Sequence, residues 1–140
     1  MEEQDDRRIH GVDLDRTLAT YDEWEGADVI GEPIPLMVER VKAWIANGDR
    51  VDIFTARVHP SHGPEQVEVA TRAIKEWFSS LFGVEPIVTC QKDWQWEDYW
   101  DDTAVRVVAN TGMVSDGKDV DEPLVEQADG MGEYLCGGSK

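Results

Sequence analysis

Apolar residues in this chain fall into short blocks separated by polar punctuation, and the period within each block names an element. Ile9-His10-Gly11-Val12 stops abruptly at Asp13-Leu14-Asp15-Arg16-Thr17-Leu18, the pattern of a buried strand running into a polar loop. From Ala19 to Pro33, acids, glycines, Tyr21 and Trp24 mix without a helical period, which predicts a loop or small hairpin. Met37, Val38, Val41, Trp44 and Ile45 then recur at three- and four-residue steps between Pro35 and Asn47-Gly48. That spacing is an amphipathic helix with its stop signal. Arg50 to Thr55 is apolar and β-branched and predicts a second strand, followed by a loop carrying Arg57, His59 and His62. Pro64 opens a longer helix with Val67, Ala70, Ile74, Trp77, Phe78 and Leu81 on one stripe and Gly83 beyond it. Ile87-Val88-Thr89 predicts a third strand. A Trp-rich interval then passes through Tyr99-Trp100 into Asp101-Asp102, and Ala104 to Val108 predicts a fifth strand.

Strands alternating with helices of about a dozen residues imply parallel pairing through right-handed crossovers. The expected fold is therefore α/β, a three-layer Rossmann-like sandwich around a central parallel sheet. Its 140 residues suit one domain. The composition shifts near residue 113, so a folded domain over 1–112 and an acidic extension over 113–140 are expected. That extension carries a short helix around Leu124 to Ala128 and a fraying Gly137-Gly138-Ser139-Lys140 end.

Charge narrows the partners. Thirteen Lys and Arg against thirty Asp and Glu leave a net charge of −17, which opposes the attraction that draws proteins onto long nucleic acids. Two cysteines, Cys90 and Cys136, lack metal-ligand spacing and are too few for a disulfide framework. The first ten residues hold no signal-peptide apolar stretch, and no run approaches a membrane span. A soluble, cytoplasmic protein without membrane partners is expected.

Four polar clusters each follow an apolar strand: Asp13 with Asp15, then Thr55, then Lys92, then Asp101 with Asp102. In a parallel sheet such clusters converge at the strands' C-terminal edge. Carboxylates gathered there repel one another by roughly 1 kcal/mol per pair in water at about 4 Å, and by several times that in a protein site. A divalent cation relieves this, and hard oxygen ligands with open positions suit Mg²⁺. Beside such a cation one carboxylate can attack phosphorus, a second carboxyl can shuttle a proton, and Thr and Lys can hold the non-bridging oxygens. Charge alone thus points to phosphoryl transfer.

Asp13-Leu14-Asp15-Arg16-Thr17 resembles the Asp-x-Asp-x-Thr signature of the haloacid dehalogenase (HAD) superfamily. Phe54-Thr55-Ala56-Arg57 is similar to its second motif, Lys92 to its third and Trp100-Asp101-Asp102 to its fourth, in the family's order across about residues 9 to 109. The overall pattern is similar to small, mostly uncharacterised bacterial and phage-encoded members. The resemblance implies a HAD-like fold with Asp13 as the nucleophile that forms an aspartyl-phosphate and Asp15 as general acid and then base. It further implies Thr55 as a phosphoryl ligand aided by the Ala56 amide, and Lys92 as the charge that offsets Asp13 and the phosphate. Mg²⁺ would be held by the Asp13 carboxylate, the Asp15 backbone carbonyl and a fourth-motif carboxylate, with Asp101 preferred as direct ligand and Asp102 behind it or acting through water. The intervals between motifs hold little more than one helix each, so no cap domain is expected. Capless relatives often take macromolecular substrates or borrow cover from a second subunit, and a homodimer is compatible with that. Thr103 stands where Arg is expected in close relatives.

Each residue also has a plainer reading. Asp13 with Asp15 alone is a solvated loop, Thr55 alone a strand-end hydroxyl bonded to backbone, Lys92 alone a surface lysine, and Asp101-Asp102 a turn. His10 reads as a packed histidine, Trp44 and Trp77 as core, and His59 and His62 as solvent-facing residues near Arg57, which is expected at the substrate. Trp94 and Trp96 divide between packing and recognition, with Trp94 the substrate-platform candidate. The expected function is a Mg²⁺-dependent phosphomonoester hydrolase acting on a small phosphorylated molecule or a phosphoprotein. The alternative is a phosphate- or metal-binding module that keeps the fold without turnover.

Overall fold

The computed structural model describes residues 5–115, and the chain divides into two compact units, Met1–Asp102 and Thr103–Lys140. In the first unit, β1 (Ile9–Asp13), α1 (Pro35–Ala46), β2 (Arg50–Phe54), α2 (Pro64–Phe82), β3 (Ile87–Thr89) and β4 (Trp96–Trp100) follow in order, with two short 3₁₀ turns, Ala56–Val58 and Pro60–His62, between β2 and α2. The four strands form one sheet in the order β3-β2-β1-β4, and every pairing is parallel. The fold is α/β, as the alternation of periods predicts.

Both helices begin with Pro in the first turn, where the missing N–H costs nothing. Gly83 in the left-handed conformation ends α2, its N–H donating to the Ser79 carbonyl at 2.8 Å. Met37 and Val41 of α1 and Ile74 and Phe78 of α2 meet Val12, Val51 and Ile53 in a single core. Register pairs His10 with Val51 and Val12 with Ile53, so these strand residues share one face and both helices lie on it. Leu14, Ile53, Ile74 and Phe78 are fully buried there, each stabilising the fold by about 1.5–3 kcal/mol.

The opposite face corrects the three-layer expectation. Among the described residues no helix covers it, because the β3-to-β4 connection is only residues 90–95, too short for a crossover helix. Aromatic side chains substitute. A Cβ at Gly11 would overlap the Trp96 indole, so glycine in the central strand lets that ring lie flat across β1. The Trp96 Nε1–H donates to Asp52 Oδ2 at 2.9 Å, Trp96 stacks on Tyr99 with centroids 5.6 Å apart, and Phe54 packs edge-on to both. Asp52, 1% exposed, is further held by Arg50 Nε and Nη2 at 2.9 and 3.0 Å.

His10 is packed, as expected. Its ring stacks on Trp44 at 3.9 Å, with Nδ1 2.8 Å from Asp98 Oδ1 and Nε2 2.9 Å from Asp49 Oδ2. The His10 hydrogen bond holds the Asp49 carboxyl below the usual carboxylate range.

In the second unit the described residues are 103–115. Ala104 to Val108 is not a strand of the sheet: Val107 forms an isolated antiparallel bridge with Val114, Val108 N–H donates to the Met113 carbonyl at 2.7 Å and Ser115 N–H to the Arg106 carbonyl at 2.8 Å. Asn110 and Gly112 at φ 66° and 78° make the turn. β-Branched composition signals a fit to a half-buried pleat, not a partner, and the adjacent turn captures this segment locally. The predicted helix at Leu124 to Ala128, the fraying end and Cys136 lie outside the described residues. No helix among the described residues is long and apolar enough to cross a membrane.

Candidate functional site

Parallel pairing brings the ends of β2, β1 and β4 side by side, Asp13 opposite Phe54 and Val12 opposite Trp100. Thr55, Asp13 and Asp101 therefore emerge at one edge from three adjacent strands. Beyond β1 the chain folds into a tight turn in which the N–H groups of Leu18 and Ala19 both donate to the Leu14 carbonyl, at 3.0 and 2.9 Å. Burial of Leu14 and Leu18 pins this turn, and Arg16 completes it at φ 75°, a left-handed conformation unusual for a residue with a side chain. Leu18 to Thr20 pair with Glu32 to Ile34 as the stem of a small hairpin. At the stem Gly31 passes so close to the Thr20 carbonyl that a Cβ there would collide with it.

One oxygen from each of Asp13, Asp101 and Asp102 lies within 4.8 Å of the others. Burial first, then the charges of Asp101 and Asp102, push the Asp13 carboxyl up to about 7. Thr17 Oγ1 donates to Asp13 Oδ2 at 3.3 Å, and Arg16 Nε lies 3.2 Å from Asp102 Oδ2. The Tyr99 hydroxyl donates to Asp101 Oδ1 at 3.0 Å. Burial and that same bond to Asp101 raise the phenol above its ordinary value. Neither Thr17 nor Tyr99 was a candidate in the sequence, although each carried a signal. Thr17 closes the Asp-x-Asp-x-Thr run, and Tyr99 sits two residues before Asp101.

No family model matches this chain, and neither curated proteins nor solved structures yield a match. Geometry therefore carries the functional reading.

Three mutually crowded carboxylates present a hard-oxygen donor set whose repulsion a dication relieves, and Asp13, Asp101 and Asp102 could hold Mg²⁺. The Asp15 carboxylate stands outside this group. It is clasped by Arg57, whose Nε and Nη2 donate to Asp15 Oδ2 and Oδ1, both at 2.9 Å.

The remaining candidates divide. Thr55 is 2% exposed, and its hydroxyl oxygen accepts from the Arg57 N–H at 3.1 Å. The plainer reading of a strand-end cap thus holds, while the hydroxyl proton remains a donor in kind. Ala56 follows in the first 3₁₀ turn, beside the site. Arg57, expected at the substrate, is instead 6% exposed with its guanidinium turned inward. Lys92 makes no ion pair with Asp13 among the described residues; its Nζ sits 5.4 Å from the ring centroid of Tyr99, whose hydroxyl bonds Asp101. Trp96 belongs to packing. Trp94, expected as a substrate platform, is 82% exposed and precedes the start of β4 beside Asp5 to Arg8, away from the carboxylate edge; with Lys92, Thr89, Ile87 and Asp52 it lines an open groove of about 480 Å³ on the helix-free face of the sheet that includes none of the site carboxylates.

Proposed function

We propose that this protein is a Mg²⁺-dependent phosphomonoester hydrolase of the HAD-like type, with a Rossmann-like sheet and no cap. The observation that carries the reading is the convergence of Asp13, Asp101 and Asp102 within 4.8 Å at the C-terminal edge of a parallel sheet, with Asp15 two residues beyond Asp13. In this reading an Asp13 carboxylate oxygen attacks phosphorus and the bond from phosphorus to the leaving oxygen breaks. The Asp15 carboxyl gives its proton to that oxygen. Asp15 then takes a proton from water, which attacks the aspartyl-phosphate and releases phosphate with Asp13 restored. Magnesium, held by Asp13 and Asp101 with Asp102 beside them, would offset the charge of the carboxylates and of the phosphoryl oxygens.

In this reading the Thr55 hydroxyl donates its proton to a phosphoryl oxygen, with the Ala56 amide next to it. Lys92 supplies positive charge from the β3 side of Tyr99. A small phosphorylated molecule or a phosphoprotein suits an open site on a chain of net charge −17, and long nucleic acid does not.

One observation favours the second reading, a phosphate- or metal-binding module without turnover: Asp15 is engaged by Arg57 and stands apart from the other carboxylates. Release of phosphate from p-nitrophenyl phosphate separates the two. Mg²⁺-dependent turnover abolished in Asp13→Asn supports the hydrolase. Stoichiometric Mg²⁺ binding by the folded protein without turnover on a broad phosphate-ester panel supports the module.

A further inference from the structure

We infer that Arg57 is a positioning residue for Asp15, fixing the proton-transfer carboxyl relative to Asp13 and coupling it to the loop over residues 21–31; this rests on the phosphatase reading above. The sequence placed Arg57 at the substrate, but its side chain is almost fully spent inside the protein. Nε and Nη2 form a two-point fork on Asp15 at 2.9 Å each. Nη1 reaches the carbonyls of Val29 at 2.9 Å, Ala27 at 3.2 Å and Gly26 at 3.3 Å. The Trp24 ring covers the guanidinium, its centroid 5.1 Å from Cζ. The backbone end is fixed as well, because the Arg57 N–H is donated to Thr55 Oγ1.

Asp15 and Arg57 follow the ends of two neighbouring strands, and Leu14 N–H continues their ladder by donating to the Phe54 carbonyl at 3.2 Å. The fork is therefore a side-chain clasp one step past the end of the β1–β2 ladder. It removes the rotational freedom of a carboxyl that must meet a leaving oxygen at one place, and misplacement by an ångström is costly in such a step. The same guanidinium ties down three carbonyls of the 21–31 loop, so one side chain holds both the loop and the carboxyl. A lysine retains the charge but cannot reproduce a fork and a carbonyl contact at once.

The leaving group separates this role from simple structural support. p-Nitrophenolate departs with little need of a proton, whereas an alkoxide needs one. Arg57→Lys and Arg57→Gln are therefore compared with wild type on p-nitrophenyl phosphate and on glycerol 1-phosphate, with Mg²⁺, recording kcat and KM separately. Both variants should lose about tenfold or more in kcat on the alkyl ester beyond their loss on the aryl ester. Lysine should retain more activity than glutamine, and KM should stay within about threefold on both substrates. Asp15→Asn should show the same asymmetry, and the Asp15→Asn, Arg57→Lys double variant should be no worse than Asp15→Asn alone. Equal kcat losses on both esters, or a raised KM with kcat intact, overturns the positioning role in favour of a structural or a phosphate-binding one. If Arg57→Lys fails to fold, the glutamine variant decides by the same ratio. A wild-type chain inert toward both esters overturns the phosphatase reading itself, and this inference with it.

Discussion

Removing the charge of Asp13 should stabilise the metal-free protein at alkaline pH and do little in acid. The carboxyl titrates at about 7 in the folded chain against 3.8 for an unperturbed aspartate, because burial and the neighbouring Asp101 and Asp102 penalise its ionised form. A group with a raised folded value holds its proton longer when folded than when unfolded, so its contribution to stability is complete below about 3.8 and is lost as pH rises towards about 7. Between pH 5 and pH 8 the loss is roughly two pK steps, or about 2.7 kcal/mol at 1.36 kcal/mol per step. The site opens to solvent on one side, and screening there reduces this to about 1.5 kcal/mol. Asparagine has the same shape and no charge to lose. Thermal melts in EDTA should therefore show Asp13→Asn gaining about 5 °C relative to wild type between pH 5 and pH 8. Adding Mg²⁺ at pH 8 should raise wild type and leave the variant nearly unmoved. A gain of equal size at both pH values, or a variant less stable than wild type at pH 8, refutes the argument that Asp13 is held among repelling charges.

Three further outcomes follow from packing and backbone. Gly11→Ala should cost about 1–3 kcal/mol in urea unfolding, because its methyl group meets the Trp96 ring across β1. Arg16→Gly should raise the melting temperature, since relief of a left-handed residue is worth about 1–2 kcal/mol and exceeds the exposed Arg16–Asp102 pair. Trp94→Ala should leave stability within about 0.5 kcal/mol, as expected for a side chain 82% exposed, and should leave KM for aryl phosphates unchanged, because Trp94 precedes the start of β4, at the opposite end of the strands from Asp13 and Asp101.

Most of the fold was legible because its elements bury one consistent face. The 3.6-residue stripe of α2 and the β-branched run of β2 each match their structural partners, and the proline and glycine signals lie at the helix ends. β4 was harder to see. Its residues, Trp96–Trp100, carry acids at positions 97 and 98 and a register shift against Ile9 and His10, so no clean two-residue alternation is present. The uncovered face was hidden for a related reason: the length of the 90–95 connection reveals that no helix fits there, but not that Trp96 would lie over Gly11. At the site, order along the chain was enough to gather Asp13, Thr55 and Asp101 at one edge. It could not reveal that Arg57 turns inward, because that fork joins residues 42 apart in sequence and depends on where the 26–29 carbonyls come to rest.

The most direct test of the account is the anomalous-difference density of a crystal soaked with Mn²⁺ as a stand-in for Mg²⁺. A single peak bound by Asp13 and Asp101 carboxylate oxygens at about 2.0–2.2 Å, with Asp102 beside it, is the predicted result. Well-ordered side chains at 13 and 101 with no peak between them, at a Mn²⁺ concentration that saturates any effect on activity, would contradict it.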